Sequence, residues 1–299
     1  MNARASVVFL SCALSLVAGC NVSIGRRAFS KSIIQSRQFT QQGIAALEHE
    51  NLQQAELLLA RAVQACKEDP EARRHYAHVL WRNGSRQEAL SQLSEALRLA
   101  PENEVLYREL AEFELALGNL GRAQHLAEEA LSLNHRSAPN WAVRAKVRQQ
   151  AADPQQALAD YHRSLSLDPH QPDVLLEVAE LYRQLNQPRR ALAALQTACD
   201  SYAPGEEPAR VYYLMALASG ALGRHDDAVA HFRLARQRGD ASPDLLYQLA
   251  QAQLLAGHSA DAEQTASELL ARAPEHVAAR ALIDRIRTGQ LPAETPQFR

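Results

Sequence analysis

From residue 70 onward the chain alternates between short amphipathic stretches and polar breaks. Apolar and small residues fall at Tyr76, Ala77, Leu80, Ala89, Leu93, Ala96, Leu97 and Leu99, and Asn83-Gly84-Ser85 interrupts them. Steps of three and four residues on both sides of a turn signal predict two helices folded against each other. The pattern then recurs. Ala89 has counterparts at Ala55, Ala123, Ala157 and Ala191 in steps of 34 residues, at Ala228 after 37, and at Ala262 after another 34.

Two further small-residue columns run in phase with the first. One lies twelve positions upstream, at Gly43, Ala77, Ala111, Ala145, Ala179, Ala216 and Ala250; the other lies seven downstream, at Ala62, Ala96, Ala130, Ser164, Ala198 and Ala235, with Leu269 as the exception. Small side chains let helix axes approach closely, so these columns mark the expected crossing points. Larger residues at Leu59, Leu93, Tyr161, Leu195 and Phe232 are expected to fill the spaces around them, with Ala127 and Ala266 as the short members of that column. A single hairpin is too small to bury its own apolar face, so the chain is expected to be all-α, with neighbouring hairpins stacked on one another.

A 34-residue helix-turn-helix period with this pattern resembles the tetratricopeptide repeat family over about residues 36 to 276. The units 70–103 and 104–137 carry it best, with Leu110-Ala111, Gly118, Ala123, Ala130-Leu131 and Leu133 in place. Pro101, Pro169 and Pro274 stand where the family ends a hairpin. The resemblance implies a right-handed superhelical solenoid of about seven hairpins plus a C-terminal capping helix. Ala152 and Asn186 replace the usual turn glycine, and Pro154 and Pro188 follow them, so turn geometry is open at those two joins.

The ends of the chain carry a different pattern. Residues 1–19 hold one basic residue, Arg4, and an apolar run from Ala5 to Ala18, which is the shape of a secretory signal. That run is short for a bilayer span. It ends in Leu16-Val17-Ala18-Gly19-Cys20, which resembles the lipobox of bacterial lipoproteins and implies a lipid on Cys20, with Asn21 favouring the outer membrane. Residues 20–29 then read as a lipidated tether, 30–287 as the solenoid with its capping helix, and 288–299 as a disordered tail. Asp200 to Pro208 holds the three extra residues of the lattice and is expected to protrude as a loop without dividing the solenoid. Val277, Ala281, Leu282 and Ile286, alternating with Arg280, Asp284, Arg285 and Arg287, form the expected cap. Cys66 and Cys199 fall in units too far apart to bridge and are read as reduced.

Charge and chemistry narrow the function classes. The 299-residue chain has 32 basic and 34 acidic residues, a net charge of −2, which argues against nucleic acid as a partner. The sequence contains no Gly-rich phosphate loop, paired-cysteine metal motif or nucleophile elbow, so no enzyme activity, cofactor or small-molecule substrate is expected. Glu71, His75 and His78 share a helix face, but helical spacing produces such triplets by chance and no fourth ligand is indicated; no metal site is expected.

What remains is a surface for partners. In the family, the second, fifth, ninth, twelfth and thirteenth positions of each hairpin line the concave groove. The resemblance places Arg74, His78, Trp81 and Arg82 there, followed by Arg108 and Glu112, Lys146, then Tyr213, Leu217, Tyr247, Leu254 and Leu255. This implies a groove that is basic toward the amino end and aromatic-aliphatic toward the carboxyl end, suited to an extended peptide or a partner helix. The expected role is a membrane-anchored scaffold for other envelope proteins. A self-assembling structural solenoid and the regulatory subunit of an envelope enzyme are the alternatives.

Overall fold

The structure, a computed structural model, describes residues 31–288. The signal-like segment, Cys20 with its tether, and 289–299 of the expected tail lie outside them. Every regular element among the described residues is an α-helix. The helices group into two compact units, one reaching His135 and the other starting at Arg136.

The first unit holds α1 (31–48), α2 (Leu52–Ala65), α3 (Pro70–Arg82), α4 (Arg86–Leu99), α5 (Glu104–Ala116) and α6 (Leu120–Leu133). The second holds α7 (Ala138–Gln150), α8 (Pro154–Leu167), α9 (Pro172–Gln184), α10 (Pro188–Cys199), α11 (Ala209–Ala221), α12 (His225–Gln237), α13 (Pro243–Leu255), α14 (Ser259–Arg272) and α15 (Val277–Thr288). Within each unit consecutive helices pack in pairs, and each pair packs on the next. Thr288, assigned to the tail by the sequence pattern, is the last helical residue, and its hydroxyl donates to the Asp284 carbonyl at 2.9 Å.

Local chemistry marks where seven of these helices begin. Proline is the first residue of α3, α8, α9, α10 and α13, where its missing N–H leaves no hydrogen bond unmade. Asn51, Asp69, Asn103, Asp153 and Ser242 cap free N–H groups with their side chains.

The turn inside each hairpin is the same device seven times. Residues Glu50, Gly84, Gly118, Ala152, Asn186, Gly223 and Gly257 all take positive φ, between 54° and 85°. Each donates its N–H three residues back, and the next residue donates five back, as in Gly118 to Leu115 and Asn119 to Glu114, both 2.9 Å. This is the Schellman closure of a helix. Ala152 and Asn186, whose turns were open on sequence, keep the geometry of their glycine counterparts. Ala152 reaches φ 60° and bonds the Gln149 carbonyl at 3.1 Å, so the surrounding hydrogen bonds hold alanine in a conformation it disfavours.

All three small-residue columns are buried; none of the alanines is more than 1 % exposed, and Ser164 and Leu269 are fully covered. Gly43 shows why the column must stay small, because a Cβ there would lie 2.6 Å from Leu59 Cγ. Leu59, Leu93, Tyr161, Leu195 and Phe232 fill the spaces between, all fully buried. Two polar members are satisfied in place. Ser164 donates to the Ala138 carbonyl at 2.8 Å, and the Tyr161 hydroxyl donates to Gln149 at 2.9 Å.

Both internal cysteines are free thiols, Cys66 buried and Cys199 half-buried 3.9 Å from the Met215 sulfur. The Asp200–Pro208 segment is exposed from Ala203 to Glu206. It is nonetheless tied down, because Glu207 accepts from Arg238 at 2.7 Å and from the Gly205 N–H at 3.0 Å. At the far end, α15 buries Ala279, Leu282 and Ile283 with Ile286 partly covered; Val277 and Ala281, expected on its apolar face, are exposed instead, because the buried stripe runs through 279, 282, 283 and 286.

Two substitutions test this account by thermal or urea unfolding. Gly43→Val should lower stability by about 1–3 kcal/mol, because Leu59 has no room to withdraw. Ala152→Gly should raise it by up to about 1 kcal/mol by removing the positive-φ strain.

Candidate functional site

In the first unit, α3 and α5 bring the expected groove residues together around a carboxylate that sequence reasoning did not single out. Arg74 and His78 lie four residues apart on α3, so both project on one side of the helix. Both reach Glu109 on α5. Arg74 binds it in bidentate fashion, Nε to Oε2 and Nη2 to Oε1, each at 2.8 Å. His78 Nε2 lies 3.0 Å from Glu109 Oε2, and the Glu109 side chain is only 6 % exposed. The remaining Arg74 Nη1 donates to Glu71 at 3.1 Å.

Aromatic packing continues the cluster one turn further along α5. Phe113 stacks on Trp81 with ring centroids 4.1 Å apart, and His78 meets its edge at 5.4 Å. The Arg86 guanidinium lies 5.7 Å from the Trp81 ring centroid. Among the described residues, Arg82 and Arg108 have no hydrogen bond or ion pair; Arg82 is exposed and Arg108 half-buried. The basic amino-terminal groove implied by the family pattern is therefore smaller than expected. Arg74 is neutralised within the protein, and Arg82 and Arg108 are the expected arginines left uncommitted.

The second unit corrects the aromatic-aliphatic half of that reading. Leu217 is 2 % and Leu254 7 % exposed, so neither offers surface to a partner. The reason is packing density. Helix α11 contacts α9 as well as α10 and α12, and Leu217 lies inside a buried cluster with residues of α9, α10, α12 and α13. Leu254 sits in a cluster with Leu282 and Ile283 of α15. The tyrosines are engaged as well. The Tyr213 hydroxyl donates to Asp244 and its ring packs edge-on against Phe232. Burial, and then that bond to Asp244, push its phenol up. Tyr247 packs against His276 and accepts from Gln251 at 2.9 Å. Lys146 is exposed and has no partner among the described residues.

The Glu71, His75 and His78 triplet does not converge. Glu71 serves Arg74 and stands 3.8 Å from His75, while His78 turns to Glu109. Among the described residues no group of three potential ligands is placed to hold a metal ion. The missed Glu109 leaves a weak trace in the sequence: an acid directly before Leu110-Ala111, 35 residues after Arg74. Two other buried acids share this character. Asp160 receives both Arg144 and Arg148 at 2.8 Å, and Glu114 receives Arg122 at 2.9 Å.

Burial raises the Glu109 carboxyl, but the hydrogen bonds from His78 and Arg74 and their charges outweigh it and hold it at about 2. A carboxyl lowered on folding contributes stability that is fully present above its unfolded value near 4.5 and is lost as pH falls through about 2. Glu109→Gln should therefore be less stable than the native chain by on the order of 2–3 kcal/mol at neutral pH. In denaturant titrations from pH 6 to 2, that gap should narrow below about pH 4.5.

Comparison with known proteins agrees with this architecture. Models of the tetratricopeptide repeat match residues 40–104, 80–147, 149–218 and 221–286. No curated protein matches the sequence. Among solved structures, PilF of Pseudomonas aeruginosa is similar at 19 % identity, over 75 % of this chain and 99 % of that one, with a TM-score of 0.64. PilW, a type IV pilus biogenesis factor, is similar at 19 % identity over 72 % and 98 % of the two chains, with a TM-score of 0.64. YrrB, a repeat protein with an unusual peptide-binding site, is similar at 18 % identity over 63 % and 96 %, with a TM-score of 0.55. At these identities the likeness is one of fold. The 34-residue hairpin, its three buried small columns and its repeated turn are thus matched along nearly the whole described length, and the chain belongs to the tetratricopeptide repeat family.

Proposed function

We propose that this protein is a membrane-anchored scaffold that binds other envelope proteins through an extended segment or a helix laid along the α3–α5 face. Repeat proteins of this family typically serve protein–protein interaction. The observation that carries the choice of face is the pair of uncommitted arginines: Arg82, directly after Trp81 on α3, and Arg108, one residue before Glu109 on α5, on the two helices that build the Trp81, His78 and Phe113 cluster. Unpaired guanidinium groups beside aromatic surface favour a carboxylate-bearing segment with apolar anchors.

The anchoring half of the proposal rests on Cys20 and its lipobox-like context, outside the described residues. Among the described residues no helix is long and apolar enough to cross a membrane. A lipid on Cys20, with the further acyl chains of the lipoprotein pathway, would hold the chain at the periplasmic side of an outer membrane.

Two measurements test the two halves separately. Cys20→Ser should move the protein from the membrane to the soluble fraction; unchanged processing and fractionation would refute the anchor. Arg82→Gln with Arg108→Gln should weaken capture of partners from detergent-solubilised membranes at low salt and flatten its salt dependence. If that variant keeps the full set of captured proteins with the native salt response, the α3–α5 face is not the binding site.

A further inference from the structure

The carboxylate inside the α3–α5 cluster has no packing reason to be there. The corresponding position of the other hairpins carries Gln41, His75, Val143, Glu177, Leu214 and Gln248, so the repeat tolerates apolar and neutral residues at that place. A buried ion pair is rarely more stable than a well-packed apolar replacement. Its effect on charge is large, however. Glu109 takes both in-plane donors of the Arg74 fork and the Nε2 side of His78, which are the groups that would converge on a carboxylate brought by a ligand.

We propose that Glu109 is a specificity-determining residue of this face: an internal carboxylate that occupies the Arg74–His78 anion position, so that acidic partners are read by Arg82 and Arg108 and not by Arg74. This rests on the reading of the α3–α5 face as the binding site. With Glu71 also on Arg74, two carboxylates surround one guanidinium, and the position carries no positive charge to attract an anion. A ligand carboxylate could enter only by displacing Glu109, which would leave a buried charge without partners. Exchange is therefore uphill, and the position stays closed while α3 and α5 remain packed.

The experiment uses the full chain and three fluorescent twelve-residue peptides with the same apolar residues, the variable positions being Glu, Gln or Lys. Fluorescence anisotropy at low salt reads their affinities. The native protein should prefer the Glu peptide. The double variant Arg74→Gln, Glu109→Gln, in which neither member of the pair is left as an unpaired charge, should keep that preference, whereas Arg82→Gln with Arg108→Gln should remove it. Glu109→Gln should bind the Glu peptide about tenfold more tightly, a gain of about 1.4 kcal/mol, and leave the Gln peptide unaffected. Adding Arg74→Gln to Glu109→Gln should cancel the gain.

The inference is overturned if that Arg74→Gln, Glu109→Gln double variant weakens the Glu peptide as much as the Arg82 and Arg108 pair does. It is also overturned if Glu109→Gln keeps the native circular dichroism spectrum and gains nothing. Should Glu109→Gln fail to fold, the Arg74→Gln, Glu109→Gln double variant, which leaves no buried charge unpaired, decides the matter. Binding of the Gln peptide without the predicted Glu109 effect rejects this inference alone. If the native protein binds none of the three peptides, the face reading fails and this inference falls with it.

Discussion

Close approach of helix backbones is the constraint on which the rest of this protein depends. A thirteen- or fourteen-residue helix with one apolar stripe has little independent stability, and each gains it from the helix before and after it. That gain needs short distances, and short distances need alanine or glycine at the crossings. Gly43 against Leu59 is the extreme case, with no space for even one additional carbon. The repeated positive-φ turns serve the same end, because the same closure returns the second helix onto the first in every hairpin.

Close packing also explains where the charges go. Each inner helix of a stack meets neighbours on several sides, so an acid on the wrong side of the stripe becomes buried and must be matched. Glu109, Glu114 and Asp160 are each met by arginine, Asp160 by two, and Glu109 also bonds His78. Such pairs add little net stability compared with apolar residues, and breaking one is severe because the remaining charge has no water. They fix which helix faces can be used for recognition by removing their arginines from the pool available to ligands.

The binding face that emerges is narrower than the family pattern alone suggests. Position in the repeat identifies which side chains point away from the partner helix, but it does not say whether a neighbour already covers or pairs them. Arg74, His78 and Trp81 are engaged by α5, Tyr213 by Asp244, and Tyr247 by His276 and Gln251. Arg82 and Arg108 escape, and the proposed function is centred on them for that reason.

The sequence by itself determined the helical class, the phase of seven hairpins, the three buried columns and the capping helix, because each follows from residue size and spacing over a few turns. Even Ala152 and Asn186 were marked as turn residues by register alone. What only the tertiary structure decided was partnership between residues a full repeat apart. Arg74 and Glu109 are 35 positions apart, and their contact depends on the offset between α3 and α5. Leu217 and Leu254 have the spacing of groove residues, yet Leu217 is enclosed in the cluster around α11 and Leu254 is covered with α15. Periodicity encodes the direction of a side chain; its neighbours' distance is set by the packing of whole helices, and that distance separates a free arginine from a neutralised one.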